Sequence, residues 1–372
     1  MTHRGRSILF LLALAFALPA VAQSEDERIT KLEQKLDELL RQAEEIRQEL
    51  RQIRPAAASA EPAPPGEDLT QIDVATPAAP APAAAKALNP DISAVGTFLG
   101  HAGDRNDLDP RRSFDLGEAE LALEAFIDPY AKGRFFISVG PEEVELEEGY
   151  AQFVTLPWGL TAKAGKTKAT FGKANTWHTH TRPWVDQPLM ITRFFGDEGL
   201  ADVGVSVSKQ IDNPFGAFIE ATGEAYSDNV YNAHVKFFRD LGENSNLEVG
   251  TSAARVGDDR LTGVDVTYRW KPLSRSIYNS FILRAEGIAN RDDVHGWYAA
   301  ADYQFARRWF TGARFDRADR DRAVSATLTF WPSEFSQLRG QFRRTTLGGG
   351  PSFDEVLLQL QFAIGAHGAH VF

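Results

Sequence analysis

Apolar and polar side chains alternate along most of this chain, from about residue 89 to its carboxyl terminus. In the segment 200–209, Val203, Val205 and Val207 share one face, and small or polar side chains share the other. The same alternation recurs at residues 116–127, 262–270, 324–330, 337–344 and 356–364. A period of two is the spacing of a β-strand whose two faces meet different environments. The pattern therefore predicts an all-β domain.

Alternation alone also fits a soluble β-sandwich with one solvated face, so the polar face is the more informative one. It carries charged residues at the centres of predicted strands, as the wall of a water-filled barrel lumen would. The predicted lumen-wall residues are Glu118, Glu120, Glu124, Arg284, Glu286, Arg339 and Arg343. The apolar face would then meet lipid acyl chains. For residues 144–155, the sequence does not indicate which side chains face inward.

The number of segments and the connections between them favour a membrane barrel. We count about sixteen segments in residues 88–372, and an even number is expected for bacterial outer-membrane barrels. If the first strand starts in the periplasm, the outer connections include residues 101–113, 172–199 and 347–354, whereas most periplasmic ones are short or moderate. Short periplasmic turns and long outer loops are typical of these barrels. Residues 88–372 are therefore predicted to form a transmembrane antiparallel β-barrel.

Tryptophan residues cluster beside the turns predicted at the periplasmic end. Trp158, Trp270, Trp309 and Trp331 all fall there, together with Tyr130 and Phe335. Amphipathic aromatic rings are favoured where a membrane meets water. The cluster therefore indicates one interfacial girdle around the predicted barrel.

The chain before residue 88 divides into three parts. Residues 1–22 combine basic residues, an apolar stretch and an Ala-Val-Ala end, which predicts a cleaved signal peptide. Residues 23–54 carry an apolar heptad seam, which predicts a periplasmic coiled-coil helix that associates with copies of itself, with a trimer as our prediction. Residues 55–87 are dominated by Ala and Pro and predict a disordered linker. The mature protein is therefore expected in the outer membrane, with its coiled coil in the periplasm.

Composition argues against several classes of function. The formal net charge is −11 and no block of basic residues occurs, so nucleic acid is not expected as a partner. The chain has no cysteine, which excludes disulfide bonds, thiolate catalysis and cysteine-ligated zinc. No G-x-S-x-G nucleophile motif occurs. We therefore expect neither an enzyme nor a bound cofactor.

The third outer loop, residues 172–199, is the longest predicted connection, and a loop of this length in a compact fold usually has a function. Charged rings at a constriction set ion selectivity in pores. The residues predicted to form such a constriction are Lys163, Lys166, Lys168, Lys173, His178, His180, Arg182, Asp186 and Arg193. The alternative interpretation is an outward lid or a loop that contacts another subunit.

Two histidines in this loop raise the question of a metal site. His178 and His180 are separated by one residue, and in an extended segment their side chains would share a face. Such a pair could chelate zinc, but complete sites need three or four ligands, and the sequence indicates no others. We therefore predict two exposed loop histidines and no metal, with a metal-binding pair as the alternative.

Four short stretches are informative beyond their alternation: residues 89–93, 171–180, 194–200 and 367–372. Together they resemble porin-like outer-membrane proteins of Gram-negative bacteria and, more distantly, the phosphate-selective porins O and P. The resemblance implies a trimeric diffusion channel of about sixteen strands. By analogy with general porins, it also implies that the third loop folds into the lumen. Phosphate-selective relatives are expected to carry dense basic ladders, whereas the lumen predicted here mixes both charges.

These observations predict an outer-membrane porin through which small hydrophilic solutes or ions diffuse passively. Basic residues on the strand before the third loop, with Arg339 and Arg343, favour a mild anion preference. Two alternatives remain open. One is a structural outer-membrane anchor whose working part is the periplasmic coiled coil. The other is an outer-membrane receptor specific for a ligand or a metal.

Overall fold

The computed structural model of the protein describes residues 90–104, 113–140, 143–292 and 294–365, together with Arg41 alone. The predicted signal peptide and linker lie outside the described residues, and so does the predicted coiled coil apart from that single residue. The closing stretch, residues 367–372, also lies outside them. The fold described below is therefore that of the predicted barrel domain.

Within these ranges the chain forms sixteen β-strands. They are β1 (Asp91–Gly103), β2 (Phe114–Asp128), β3 (Ala131–Val139), β4 (Val144–Leu156), β5 (Leu160–Lys168), β6 (Ala201–Gln210), β7 (Phe218–Tyr226), β8 (Val230–Asp240), β9 (Ser245–Val256), β10 (Asp259–Trp270), β11 (Ser280–Asn290), β12 (His295–Ala306), β13 (Trp309–Ala318), β14 (Asp321–Ser333), β15 (Ser336–Thr346) and β16 (Ser352–Gly365). Helical structure in the same ranges consists of α1 (Leu189–Phe195) and 3₁₀ turns at Pro157–Gly159, Ala174–Thr176, Thr179–Thr181 and Leu273–Arg275. None of the described helices is long and apolar enough to cross a membrane.

Neighbouring strands pair antiparallel in chain order, and β1 pairs with β16 to close the sheet. The closing ladder runs from Ser93 opposite Gly365 to Gly103 opposite Glu355. Closure leaves no strand edge, so every strand pairs its N–H and C=O groups on both sides. The predicted antiparallel barrel of about sixteen strands is confirmed.

The two-residue alternation of the sequence separates the inside of the barrel from its outer surface. Along β14, Ser325 is buried inside, while Val324 and Leu328 are exposed on the outside. Along β16, Gln359 is buried inside, while Leu358 is 59% exposed on the outside. A large apolar surface of this kind is stable in contact with lipid and is rare on soluble monomers. For these strands, the prediction of which side chains point into the barrel and which point outward is therefore confirmed.

The lengths of the connections match the prediction in part. The first and third outer connections, residues 104–113 and 169–200, are the longest. However, the outer connection at residues 347–351 is shorter than two connections at the opposite end, residues 211–217 and 271–279. Each of those two contains a proline, which lacks the N–H needed to continue a ladder. The contrast between long outer loops and short periplasmic turns therefore rests on two loops.

Aromatic side chains gather at the end of the barrel where β1 begins and β16 ends. Trp158, Tyr130 and Phe335 lie in turns at this end, and Trp309 begins β13 there. All four are exposed. This position is the one that the sequence predicts for the interfacial girdle.

A β-bulge in β4 explains why the facing of residues 144–155 could not be predicted. Phe136 pairs with Glu148 and Ile137 pairs with Leu146, so Glu147 is an extra residue between them. A bulge breaks the two-residue alternation at one point. As a result, the consecutive residues Glu147 and Glu148 both reach the inside of the barrel, where each contacts His178.

Candidate functional site

The third outer loop, residues 169–200, lies inside the barrel. His178 contacts Glu148 of β4 with 2.9 Å between Nε2 and Oε2. Further along the loop, the backbone N–H of Val185 donates to Oε1 of Gln341 on β15 at 2.8 Å. Because β4 and β15 belong to different parts of the barrel wall, the loop crosses the lumen between them. This arrangement is the inward one and differs from an outward lid.

The base of the loop is closed by a single asparagine. Asn175 donates from Nδ2 to the carbonyl oxygens of Ala169 at 2.8 Å and Leu200 at 3.0 Å. Its Oδ1 accepts a hydrogen bond from the N–H of Leu200 at 2.7 Å. The two ends of the loop are therefore held together by this buried side chain, in addition to the backbone hydrogen bond from the N–H of Ala169 to the carbonyl oxygen of Leu200 at 2.8 Å.

An apolar cluster packs the loop against one side of the wall. Phe171, Trp184, Met190 and Ile191 of the loop are almost completely buried. They form one cluster with apolar side chains that β10, β11 and β12 direct inward, namely Leu261, Ile288 and Tyr298. Burial of large apolar side chains stabilises the inward position of the loop.

A buried ion-pair network joins the loop to β13, β15 and β16. Asp186 accepts hydrogen bonds from Arg314 and Arg343, each with 2.8 Å between nitrogen and Oδ2. Arg314 also donates to Asp316 at 2.6 Å, and Arg343 donates to Glu355 at 2.8 Å. Burial alone would raise the pKa of Asp186, but the two guanidinium groups outweigh it and hold the pKa well below its usual range.

A second cluster surrounds the two loop histidines. His178 Nδ1 lies 3.0 Å from Oε2 of Glu147 and 3.2 Å from Oε2 of Glu120. His180 Nδ1 lies 3.1 Å from the same oxygen of Glu120. Burial alone would lower the pKa of His178, but its contacts with the carboxylates of Glu120, Glu147 and Glu148 outweigh that effect and raise the pKa to about 11.

The prediction for these histidines is wrong on two points. Both His178 and His180 are buried rather than exposed. The segment is not extended, because Thr179–Thr181 forms a 3₁₀ turn. The side chains nevertheless converge, because both point at Glu120 on the barrel wall.

The four lysines predicted at a constriction are each in contact with another side chain. Lys166 contacts Glu145 at 2.8 Å and Lys168 contacts Glu147 at 3.3 Å. Lys173 pairs with Glu248, and burial, with the nearby Arg269, lowers the pKa of Lys173. Lys163 lies over the ring of Tyr150, with Nζ 4.9 Å from the ring centroid. Three of these four positive charges are therefore offset by a neighbouring carboxylate.

The remaining predicted residues occupy several places inside the barrel. Glu118 interacts with Glu147. Glu124 contacts Arg134 at 2.6 Å, and Arg284 pairs with Asp302. Glu286 accepts the N–H of Ala174 at 2.9 Å, and Arg339 donates to the carbonyl of Arg182 at 3.0 Å. Arg193 is half exposed and lies 3.7 Å from Asp321.

The structure thus brings some predicted site residues together and separates others. His178 and His180 meet Glu120 on one side of the loop, and Asp186 meets Arg343 on the other. The partners that the sequence analysis missed are Glu147, Glu148, Arg314, Asp316 and Glu355. Arg314 and Asp316 could have been found, because they alternate with the outward-facing Phe315 along β13. The two glutamates could not, because the bulge interrupts the alternation.

Comparison with known proteins identifies the solved structures whose fold this barrel shares. No protein-family model matches the chain. An uncharacterized protein of Aquifex aeolicus (strain VF5) is 26% identical over an alignment that covers 76% of this chain and 75% of that protein.

Among solved structures, OprB of Pseudomonas putida at high pH has a TM-score of 0.53 and 10% identity, over 76% of this chain and 95% of OprB. OmpF of Salmonella typhi in complex with daunomycin has a TM-score of 0.53 and 9% identity, over 75% of this chain and 99% of OmpF. The trimer form of OmpT, an outer membrane protein of Vibrio cholerae, has a TM-score of 0.52 and 10% identity, over 74% of this chain and 100% of OmpT. With the closed sixteen-strand topology, these similarities show that the chain has the fold of the outer-membrane porins, to which its sequence bears a distant resemblance.

Proposed function

We propose that this protein is an outer-membrane porin, through which small hydrophilic solutes or ions diffuse passively without any chemical step. The observation that carries the proposal is a closed sixteen-strand barrel with an apolar outer surface, a polar inner surface and an inward-folded third loop. Barrels of this strand number enclose a lumen wide enough for an aqueous channel, which the loop then narrows.

Partly exposed charges support the presence of water in the half of the barrel where β1 begins and β16 ends. Glu124 and Arg134 pair on neighbouring strands there, as do Glu220 and Lys236. All four side chains keep a substantial exposed fraction, although they point into the barrel. A charged side chain retains its hydration only where water reaches it, because transfer of an ion into an apolar medium is strongly unfavourable.

The third loop supplies the constriction in this proposal. Its two charged clusters, around His178 and around Asp186, attach it to different parts of the wall. A permeating solute would pass between this loop and the wall strands that it does not contact. Lys173, Glu248 and Arg269 are partly exposed at the loop and are candidates to meet the solute.

A homotrimer in the outer membrane is the assembly that we propose. One of the similar structures is described as a trimer form of its own protein. The heptad seam predicted in residues 23–54 would add a second contact among three chains in the periplasm. The barrel wall itself would contact outer-membrane lipid through its apolar side chains.

Single-channel recording tests the function and the assembly together. We expect that purified full-length protein added to a planar lipid bilayer increases the conductance in discrete steps. Because a trimer inserts three lumens at once, each insertion should close in three equal sub-steps at high voltage. Protein unfolded in denaturant before addition serves as the control and should give no steps. Correctly folded protein that inserts without conducting would contradict the proposal and favour the structural anchor.

Ion selectivity follows from the charges at the constriction. We propose a mild anion preference, carried by Lys163 and Arg339. Their direct contacts are with neutral groups, although Glu148 lies near Lys163 and Asp302 lies near Arg339. The preference should be small, because Lys166, Lys168 and Lys173 face carboxylates. The reversal potential in a potassium chloride gradient measures it. A clear cation preference would contradict this assignment without affecting the evidence for a channel.

A further inference from the structure

Four potential metal ligands converge on the side of the loop nearest β2 and β4. One carboxylate oxygen each of Glu120 and Glu147 and one ring nitrogen of His178 all lie within 4.8 Å of one another. His180 adds a fourth donor, since its Nδ1 lies 3.1 Å from the same oxygen of Glu120. Ligand atoms bound tetrahedrally to one zinc ion lie roughly 3.3–3.6 Å apart, because each is 2.0–2.2 Å from the metal. The observed separations of 3.0–3.2 Å are close to this spacing.

The hydrogen bonds in this cluster leave one buried acceptor unsatisfied. Oε2 of Glu120 is shielded from solvent and has no hydrogen-bond partner among the residues that the structure describes. Burial of an acceptor without a partner is unfavourable. A cation held between Glu120 and the two histidines would satisfy this oxygen directly.

The net charge of the cluster also favours a bound cation. Glu118, Glu120, Glu147 and Glu148 all lie in this cluster, and two basic strand residues face them: Lys168, which contacts Glu147, and Lys163, which interacts with Glu148. Even with His178 protonated, the carboxylates outnumber the positive charges. Several buried carboxylates repel one another unless cations offset them. A divalent ion would supply the missing charge.

We propose that Glu120, Glu147, His178 and His180 bind a divalent transition-metal ion inside the barrel. The imidazole nitrogens favour metals such as zinc over calcium or magnesium, which prefer oxygen ligands alone. Glu148 then has a distinct role as a positioning residue. Its Oε2 accepts a hydrogen bond from Nε2 of His178 at 2.9 Å and so leaves Nδ1 to face the metal.

This assignment differs from a purely structural interpretation, in which His178 is an imidazolium ion that attaches the loop to the wall. In that interpretation both ring nitrogens of His178 carry protons and donate to Glu147 and Glu148. It accounts for those contacts without a metal, whereas in the assignment proposed here His180 is a ligand beside the same Glu120 oxygen. The two interpretations make opposite predictions for the binding of metal ions.

Zinc titration of the untagged full-length protein in detergent tests the proposal. After removal of metals with a chelator, isothermal titration calorimetry with Zn²⁺ should give one strong site per chain. Replacing His178 with glutamine keeps a polar side chain but removes the ligand nitrogen, and should abolish that site. His180→Gln should weaken it, and Glu148→Gln should weaken it about 10–100-fold through the orientation of His178.

His234→Gln is the matched control, because His234 is also buried in the barrel but binds Ser252 and lies outside this cluster. It should leave zinc affinity unchanged. Absence of a strong site in the wild-type protein would overturn the proposal, and so would equal affinity in the His178 and His234 variants. The His180 and Glu148 variants test the site independently if His178→Gln does not fold. Because the titration does not use conductance, its failure would leave the porin function untouched.

Discussion

Replacing Asp186 with asparagine is expected to release the third loop from the wall and to lower the free energy of unfolding by about 3 kcal/mol or more. Asp186 is buried, and its Oδ2 accepts hydrogen bonds from both Arg314 and Arg343. Asparagine removes the charge while keeping the size, so the two guanidinium groups lose the carboxylate that they share, although Asp316 and Glu355 still pair with them. Removing one member of a buried ion-pair network leaves the others undercompensated, which is strongly destabilising.

Urea unfolding in lipid vesicles measures the stability of the variant. Its conductance in a planar bilayer shows whether the loop still narrows the lumen. We expect a larger and noisier conductance, because an undocked loop no longer narrows the lumen at a fixed position. Asp197→Asn is the matched control, since Asp197 is an exposed residue of the same loop. A variant of Asp186 with wild-type conductance and stability would show that the network does not hold the loop.

The barrel could be predicted from the sequence because each strand repeats the same physical constraint. Val324 and Leu328 face outward while Ser325 faces inward, and a two-residue period is visible wherever the two faces meet different environments. The same logic fails at β4. One extra residue, Glu147, brings two neighbouring glutamates to the inside, and nothing in the local sequence marks the position of a bulge.

The site was harder to predict because its contacts join residues that are distant in the chain. Asp186 was identified as a candidate for the constriction, but its partner Arg314 lies 128 residues further on. The strands against which the loop packs do carry a signal in the sequence. Ile288 shares the inward face of β11 with the charged residues Arg284 and Glu286. An apolar side chain on an otherwise polar lumen wall indicates that another part of the protein covers it.

Replacing Trp184 with alanine is expected to remove about 3–5 kcal/mol of the packing energy that docks the loop. Trp184 is 0% exposed and contacts Tyr298 edge-to-face, with 5.4 Å between ring centroids. The guanidinium carbon of Arg314 also lies 4.6 Å from its ring centroid. Alanine would leave a cavity and would remove the aromatic face that stabilises this buried cation.

The substitution Trp184→Phe tests the contribution of the aromatic ring separately from that of the indole N–H group. Nε1 of Trp184 is buried and has no hydrogen-bond partner among the described residues. Phenylalanine therefore keeps the aromatic contacts without losing a hydrogen bond, and it should be less destabilising than alanine.

Trp158→Ala is the control for the loss of a tryptophan, because Trp158 is 83% exposed in a turn at the end of the barrel. Urea unfolding and channel recording should detect a large effect only for Trp184→Ala. Equal effects of the Trp184 and Trp158 substitutions would contradict the buried position of this loop, because only a docked loop makes the two tryptophans physically different.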